Sequence, residues 1–103
     1  MNAGRGLALL LAGALLPALS GCLLPPDAPT VLASAGGTGP DDAYVVSSEA
    51  QEQEILRLLG LDMRSRALHV IDGKPFDVLT TNNPQTGEAR DVWFDISRFF
   101  RRR

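Results

Sequence analysis

Apolar residues follow three different patterns along this chain. Leu7 to Leu19 form an almost unbroken apolar run, which is typical of a targeting segment rather than of a folded domain. From Glu49 to Leu59 the apolar residues cluster at helical spacing, and from Arg90 to Ile96 they alternate with polar residues as in a half-buried strand. The patterns typical of folded structure therefore lie in the second half of the chain.

The helical segment has start and stop signals of its own. Ser48 can cap the first turn, and Gln51 follows at the spacing of a capping box. Gly60 is suited to the left-handed conformation in which many helices end. These signals predict a helix from Glu49 to Leu59, with Glu52 mostly on its outer side.

Three strands are predicted after the helix. The hairpin-forming pair Asp72-Gly73 joins Ala67–Ile71 to Phe76–Thr81, and Arg90–Ile96 is the third strand. Tyr44–Val46 could add a fourth. The expected fold class is α+β, with one helix packed on an antiparallel sheet of three or four strands. The residues expected to be buried are Ile55, Leu58, Leu59, Val70, Phe76, Val78, Val92, Phe94 and Ile96.

Residues 22–42 have a different composition. Prolines are frequent in the first half of this stretch and glycines in the second, and few large apolar residues lie between them. Such a composition predicts a flexible linker without a core. The chain is therefore expected to divide into a signal peptide (1–21), a linker that begins at Cys22 (22–42) and a small α+β domain (43–103).

The tetrapeptide Leu19-Ser20-Gly21-Cys22 follows the apolar run, which is shorter than the roughly 20 residues of a membrane-spanning helix. The small side chains of Ser20 and Gly21 allow a peptidase to approach the backbone closely, and the thiol of Cys22 is a nucleophile that can accept a lipid. The tetrapeptide resembles the lipobox of bacterial lipoproteins. The mature domain shows no family motif.

The resemblance implies cleavage between Gly21 and Cys22, followed by acylation of Cys22, which becomes the membrane anchor. In lipoproteins of two-membrane bacteria, an aspartate after the cysteine commonly retains the protein at the inner membrane. Leu23 stands at that position here, and it implies the outer membrane, with the domain facing the periplasm. The outer face of the cytoplasmic membrane is the alternative.

Residues that could perform catalysis are few. Cys22 is the only cysteine and His69 the only histidine, so neither a disulfide nor a site with several histidines is expected. Asp91 and Asp95 lie about 13 Å apart if they share one face of a strand, which is too far for a catalytic carboxylate pair. The sequence predicts no catalytic residue, metal or cofactor.

Charge is distributed unevenly. All charged residues from Asp27 to Glu54 are acidic, whereas the chain ends in Arg101, Arg102 and Arg103. A nucleic-acid-binding domain would carry a broad basic face instead, so no nucleic-acid partner is expected.

Two features are candidate binding surfaces. Trp93 is predicted to point away from Val92 and Phe94, onto an exposed face, and exposed tryptophan is enriched at interaction hot spots. It could equally cover the second face of the sheet. The C-terminal residues Phe99, Phe100, Arg101, Arg102 and Arg103 could engage anionic lipids or an acidic partner. Alternatively, Phe99 or Phe100 docks on the domain and the arginines fray.

These observations predict a membrane-anchored envelope lipoprotein with a non-catalytic binding or assembly domain that contacts an envelope protein. A small enzyme acting on peptidoglycan or lipid is the second hypothesis, and it requires a concave site that combines His69 with a carboxylate. A passive structural lipoprotein is the third.

Overall fold

The computed structural model describes residues 24–102 of the chain. Within these residues the fold is α+β, with two α-helices and a four-stranded mixed sheet. Short 3-10 turns cover Pro40–Asp42 and Phe100–Arg102. The elements follow in the order α1 (Ala28–Ser34), β1 (Tyr44–Val45), α2 (Glu49–Leu59), β2 (Asp62–Ile71), β3 (Lys74–Asn82) and β4 (Ala89–Asp95).

Helix α2 has the predicted bounds. The hydroxyl of Ser48 accepts a hydrogen bond from the backbone N–H of Gln51 at 3.1 Å, and Gln51 returns one by accepting from the N–H of Ser47. Gly60 takes the left-handed conformation, with φ 73° and ψ 32°. The helix is therefore bounded by local capping interactions that the sequence encodes directly.

Strands β2 and β3 form the predicted hairpin. Asp72 and Gly73 both have positive φ values, of 52° and 79°, as a two-residue turn of a twisted hairpin requires. Strand β2 is longer than predicted, because it begins at Asp62 rather than at Ala67. Its pairing with β3 shifts between Met63 and Ser65, which marks a β-bulge.

The sheet has the strand order β1-β4-β3-β2 and is not entirely antiparallel. Strand β1 pairs in parallel with β4, with Tyr44 opposite Phe94, whereas the other two pairs are antiparallel. The expectation of an antiparallel sheet is therefore corrected at β1. A parallel neighbour requires a long connection, and here α2 and the β2–β3 hairpin lie between the two strands in sequence.

The core lies between the helices and one face of the sheet. It consists of Ala28, Val31, Tyr44, Val46, Ile55, Leu56, Leu79, Val92, Phe94 and Ile96. The rings of Tyr44 and Phe94 lie 5.7 Å apart, so the two-residue β1 is fixed by packing as much as by its backbone hydrogen bonds.

Most predictions of burial are confirmed, and two are wrong. Ile55, Phe76, Val78, Val92, Phe94 and Ile96 are buried, and Leu59 packs partly buried against the core. Leu58 is 40% exposed and Val70 is 60% exposed. The inner stripe of α2 runs through Glu52, Ile55, Leu56 and Leu59, which leaves Leu58 at its rim.

Residues 28–42 also correct the predicted linker. Helix α1 begins after the N-cap Asp27, whose carboxylate accepts a hydrogen bond from the N–H of Thr30 at 3.0 Å. Ala28 and Val31 are buried in the core, and α1 packs against α2 and β1. The composition that suggested a flexible linker thus belongs to a short helix and an ordered loop, and the folded part begins near Ala28 rather than at residue 43.

The loop after α1 is tightly fitted. Gly37 has φ 68°, and the ring of Tyr44 occupies the space that a side chain at Gly37 would need. Its N–H donates to the carbonyl of Asp42 at 2.8 Å, and its carbonyl accepts from the N–H of Trp93, also at 2.8 Å. Gly37 therefore connects this loop to the backbone of β4 at Trp93.

We expect Gly37→Ala to lower the free energy of unfolding by about 2 to 4 kcal/mol, because a left-handed alanine is strained and its methyl group overlaps the Tyr44 ring. Urea unfolding of the full chain, followed by circular dichroism, measures this change. Gly39→Ala is the matched control, because Gly39 has an extended backbone and free space beside it. Equal stability of the two variants would contradict the tight packing of this loop and would support the flexible linker that its composition predicts.

Candidate binding surfaces

Strand β2 forms one edge of the sheet and is exposed along its whole length. All ten of its residues are exposed, including four large apolar ones, Met63, Leu68, Val70 and Ile71. The opposite edge of the sheet is β1, which has two residues. The long unpaired edge of β2 is thus the most extensive backbone surface available for pairing within residues 24–102.

Helix α2 contacts β2 through Arg66 and leaves the strand exposed. Arg66 reaches the helix, where its guanidinium forms ion pairs with Glu49 and, at 3.2 Å, with Glu52. Both carboxylates lie in the first turn of α2, and the helix ends close to where β2 begins. Beyond Arg66 the hairpin extends past the helix, and we refer to this part, residues 67–78, as the outer hairpin.

Glu52 was predicted to lie mostly on the outer side of α2, and it is instead fully buried. It occupies the helical position three residues before Ile55, within the inner stripe. A buried carboxylate is costly unless a cation compensates it, and Arg66 supplies that charge from β2. Recognising this pair from sequence would have required the true start of β2, since Arg66 precedes the predicted strand.

The two halves of the β2 edge differ in how well they are protected against pairing. The first residues, Asp62–Ser65, include Arg64 and contain the bulge, and charges and bulges are the usual means of blocking an edge. The guanidinium of Arg66 is instead held at α2 by Glu49 and Glu52. The second half, Ala67–Ile71, contains no Asp, Glu, Lys, Arg or Pro, and its register with β3 is regular. The outer hairpin therefore has an unprotected edge.

Trp93 is only half-buried and lies in an aromatic cluster on the sheet face opposite the helices. Its ring centroid lies 5.3 Å from that of His69 and 5.7 Å from that of Phe76, which it meets edge-on. Beside the cluster, the Thr80 hydroxyl donates to Asp91 at 3.1 Å. Trp93 thus covers part of the second face and leaves part of its ring accessible.

A loop formed by residues 36–42 is hydrogen-bonded to the backbone of Trp93 in β4, through the carbonyl of Gly37. Within this loop the carboxylate of Asp42 accepts hydrogen bonds from the backbone N–H groups of Thr38 and Gly39 and from the Thr38 hydroxyl. The carbonyl of Gly36 accepts from the guanidinium of Arg90 at 3.2 Å. The hydrogen bond from the Thr38 side chain, aided by the backbone donors, holds the pKa of Asp42 below its ordinary value of 3.8.

The C-terminal aromatic residues pack against the domain and do not form a fully exposed surface. Phe99 and Phe100 are half-buried and pack against the core, whereas Arg101 is exposed. A depression of about 280 Å³ lies between this turn and the hairpin tip, and it is lined by Val70, Gly73, Pro75, Ser97, Phe100 and Arg101. The Arg102 side chain and Arg103 lie outside what the structure describes.

The predicted lipidation and cleavage residues, Cys22 and Gly21, also lie outside residues 24–102, as does Leu23. Among the described residues, no helix is long and apolar enough to cross a bilayer. The same residues contain no group of three or more side chains suited to hold a metal ion.

His69 lies on the exposed edge strand and contacts Trp93. Depressions near the hairpin tip, beside the end of α2 and beside Pro40 are lined by residues other than His69. Asp91 is exposed and accepts a hydrogen bond from Thr80, whereas Asp95 is buried, accepts one from Ser97 and forms an ion pair with Lys74.

Comparison of the chain with protein-family models, with curated proteins and with solved structures gave no match.

We expect Arg66→Ala to lower the free energy of unfolding by roughly 2 to 3 kcal/mol, because it leaves the carboxylate of Glu52 buried without its cation. Arg57→Ala is the matched control. Arg57 also forms an ion pair, with Glu54, but both side chains are largely exposed, and the loss should stay below about 1 kcal/mol. Urea unfolding measures both variants, and equal losses would contradict a special role for the buried pair.

We expect the environment of Trp93 to change at acid pH, because the carboxylate of Asp42 organises the loop that is hydrogen-bonded to Trp93. Because the pKa of Asp42 is lower in the folded chain than in the unfolded chain, its contribution to stability is present above pH 3.8 and is lost as pH falls through the lower folded value. The emission of Trp93, the only tryptophan, should therefore change in that acid range.

Asp42→Asn should weaken this acid transition, because the amide oxygen accepts hydrogen bonds without titrating. Asp27→Asn is the control, since Asp27 also has a lowered pKa but caps α1. An unchanged fluorescence transition in Asp42→Asn would assign the effect to another group.

Proposed function

We propose that this chain is an envelope lipoprotein in which lipid on Cys22 holds a small, non-catalytic binding domain at a membrane surface. The observation that carries the anchor is the sequence Leu19-Ser20-Gly21-Cys22 directly after an apolar run. Leu23 favours the outer membrane, with the domain in the periplasm. A diacylglyceryl group and an acylated amine would provide the two or more chains that stable anchoring needs.

The segment between the proposed anchor and the folded domain is shorter than the predicted linker of residues 22–42. The carbonyl of Pro26 accepts a hydrogen bond from the side-chain amide of Gln51 on α2, at 2.9 Å. Four residue steps separate Cys22 from Pro26, and such a segment spans at most about 14 Å. The domain is therefore held against the membrane rather than extended away from it.

The outer hairpin is the surface on which we base the binding role. It extends past α2, its edge is unprotected, and Leu68 and Val70 expose 51% and 60% of their surface. Apolar side chains beside unpaired backbone groups favour recognition by strand addition, in which backbone hydrogen bonds supply affinity and side chains supply specificity. The accessible part of the Trp93 ring extends this surface on the second face.

Mass spectrometry of the mature N-terminus tests the anchor. We expect the chain to begin at Cys22 and to carry lipid on its sulfur and amine. Cys22→Ala should abolish the modification and shift the protein out of the membrane fraction, because no acyl chain remains to bind the bilayer. Gly21→Ala is the matched control, since a small side chain is kept at the cleavage site. An unmodified thiol in the mature chain, or an unchanged membrane fraction for Cys22→Ala, would refute the proposal.

A further inference from the structure

We propose that the partner of the outer hairpin is a second copy of this chain, and that the two β2 strands pair antiparallel about a twofold axis at Leu68. This inference deepens the proposed binding role and rests on it. It joins two four-stranded sheets into one continuous sheet of eight strands.

The backbone of β2 selects this register. Ile71 and Lys74 flank the two-residue turn, so they form a hydrogen-bonded pair across the hairpin. Because inward and outward backbone groups alternate along a strand, the groups that point away from β3 belong to Arg66, Leu68 and Val70. A symmetric antiparallel pairing that uses all three is centred on the middle one, Leu68.

The side chains are compatible with this pairing. Leu68 lies opposite Leu68 of the second copy, and Val70 lies one position further along the same face. Their exposed surfaces thus combine into a single apolar cluster across the joint. Val70 comes opposite Arg66 of the second copy, and no two residues of like charge face each other within Arg66–Val70.

The symmetry also suits attachment to one membrane. A twofold axis between antiparallel strands is perpendicular to the sheet, so the helical layers of both copies lie on the same side. Pro26, the described residue nearest the anchor that is fixed to the domain, is bonded to α2 in that layer. Both anchors therefore leave the dimer on one side, whereas a partner without an anchor gains nothing from this arrangement.

Disulfide trapping of the native protein in membranes tests the register. Directly opposite residues of a hydrogen-bonded pair have Cα atoms about 5.5 Å apart, within the range of disulfides. Leu68→Cys should therefore cross-link to itself several-fold more than Ala67→Cys or His69→Cys, whose like positions lie diagonally. Gln53→Cys, exposed on α2, is the background control, and the unmodified chain reports any reaction of Cys22.

A maximum at Ala67→Cys or His69→Cys would overturn the Leu68 axis. Background cross-linking at all three positions would overturn self-pairing altogether. An adduct whose mass differs from two chains would also overturn it, while leaving the binding role of the edge intact. A Leu68→Cys dimer without lipid on Cys22 would instead refute the anchor and retain the pairing.

A disruptive pair of variants provides an independent measurement. Leu68→Lys places two ammonium groups on the axis, whereas Leu58→Lys introduces the same change at an exposed leucine of α2. Native mass spectrometry of protein released directly from lipid vesicles should find dimers for the unmodified chain and for Leu58→Lys, and monomers for Leu68→Lys. A monomeric unmodified chain, or a dimeric Leu68→Lys variant, would contradict the proposal.

Discussion

The ion pair between Glu52 and Arg66 determines how the two layers of this domain meet. A carboxylate with no solvent exposure lies on the inner stripe of α2, and its desolvation must be offset from the sheet. Arg66 meets this requirement at the middle of β2, 3.2 Å from Glu52. The helix is thereby tied to β2 at Arg66, while all ten residues of the strand, Leu68 and Val70 among them, remain exposed.

The parts of the fold that the sequence predicted are those that local interactions determine. Helix α2 is bounded by Ser48 and Gly60, whose capping roles depend on neighbours within one turn. The turn at Asp72-Gly73 likewise needs only two residues that accept positive φ. In both cases the information lies within a few residues of the feature, so reading the pattern along the chain was sufficient.

The parts that the sequence did not reveal depend on contacts between distant segments. Val31 lies in the segment that was predicted to be a linker, and it is buried because α1 packs against α2 and β1. Strand β1 is two residues long, and its parallel pairing with β4 relies on the Tyr44–Phe94 contact. The position of Trp93 in an aromatic cluster follows from strand register, which places His69 and Phe76 on the same face. The proposed lipid site, Cys22, lies outside the described residues, and its signal is a motif rather than a fold.

Anchoring and edge pairing reinforce each other physically. An unprotected edge of five residues offers few hydrogen bonds, so pairing between freely diffusing copies is weak after the entropy of association is subtracted. Two chains attached to the same bilayer have already lost part of that freedom, because each is confined to a layer at the membrane surface. The short segment between Cys22 and Pro26 strengthens this effect by restricting height and tilt. In the proposed arrangement, the same edge remains unpaired in a dilute soluble chain and pairs on a membrane, so the proposed lipid would determine assembly as well as location.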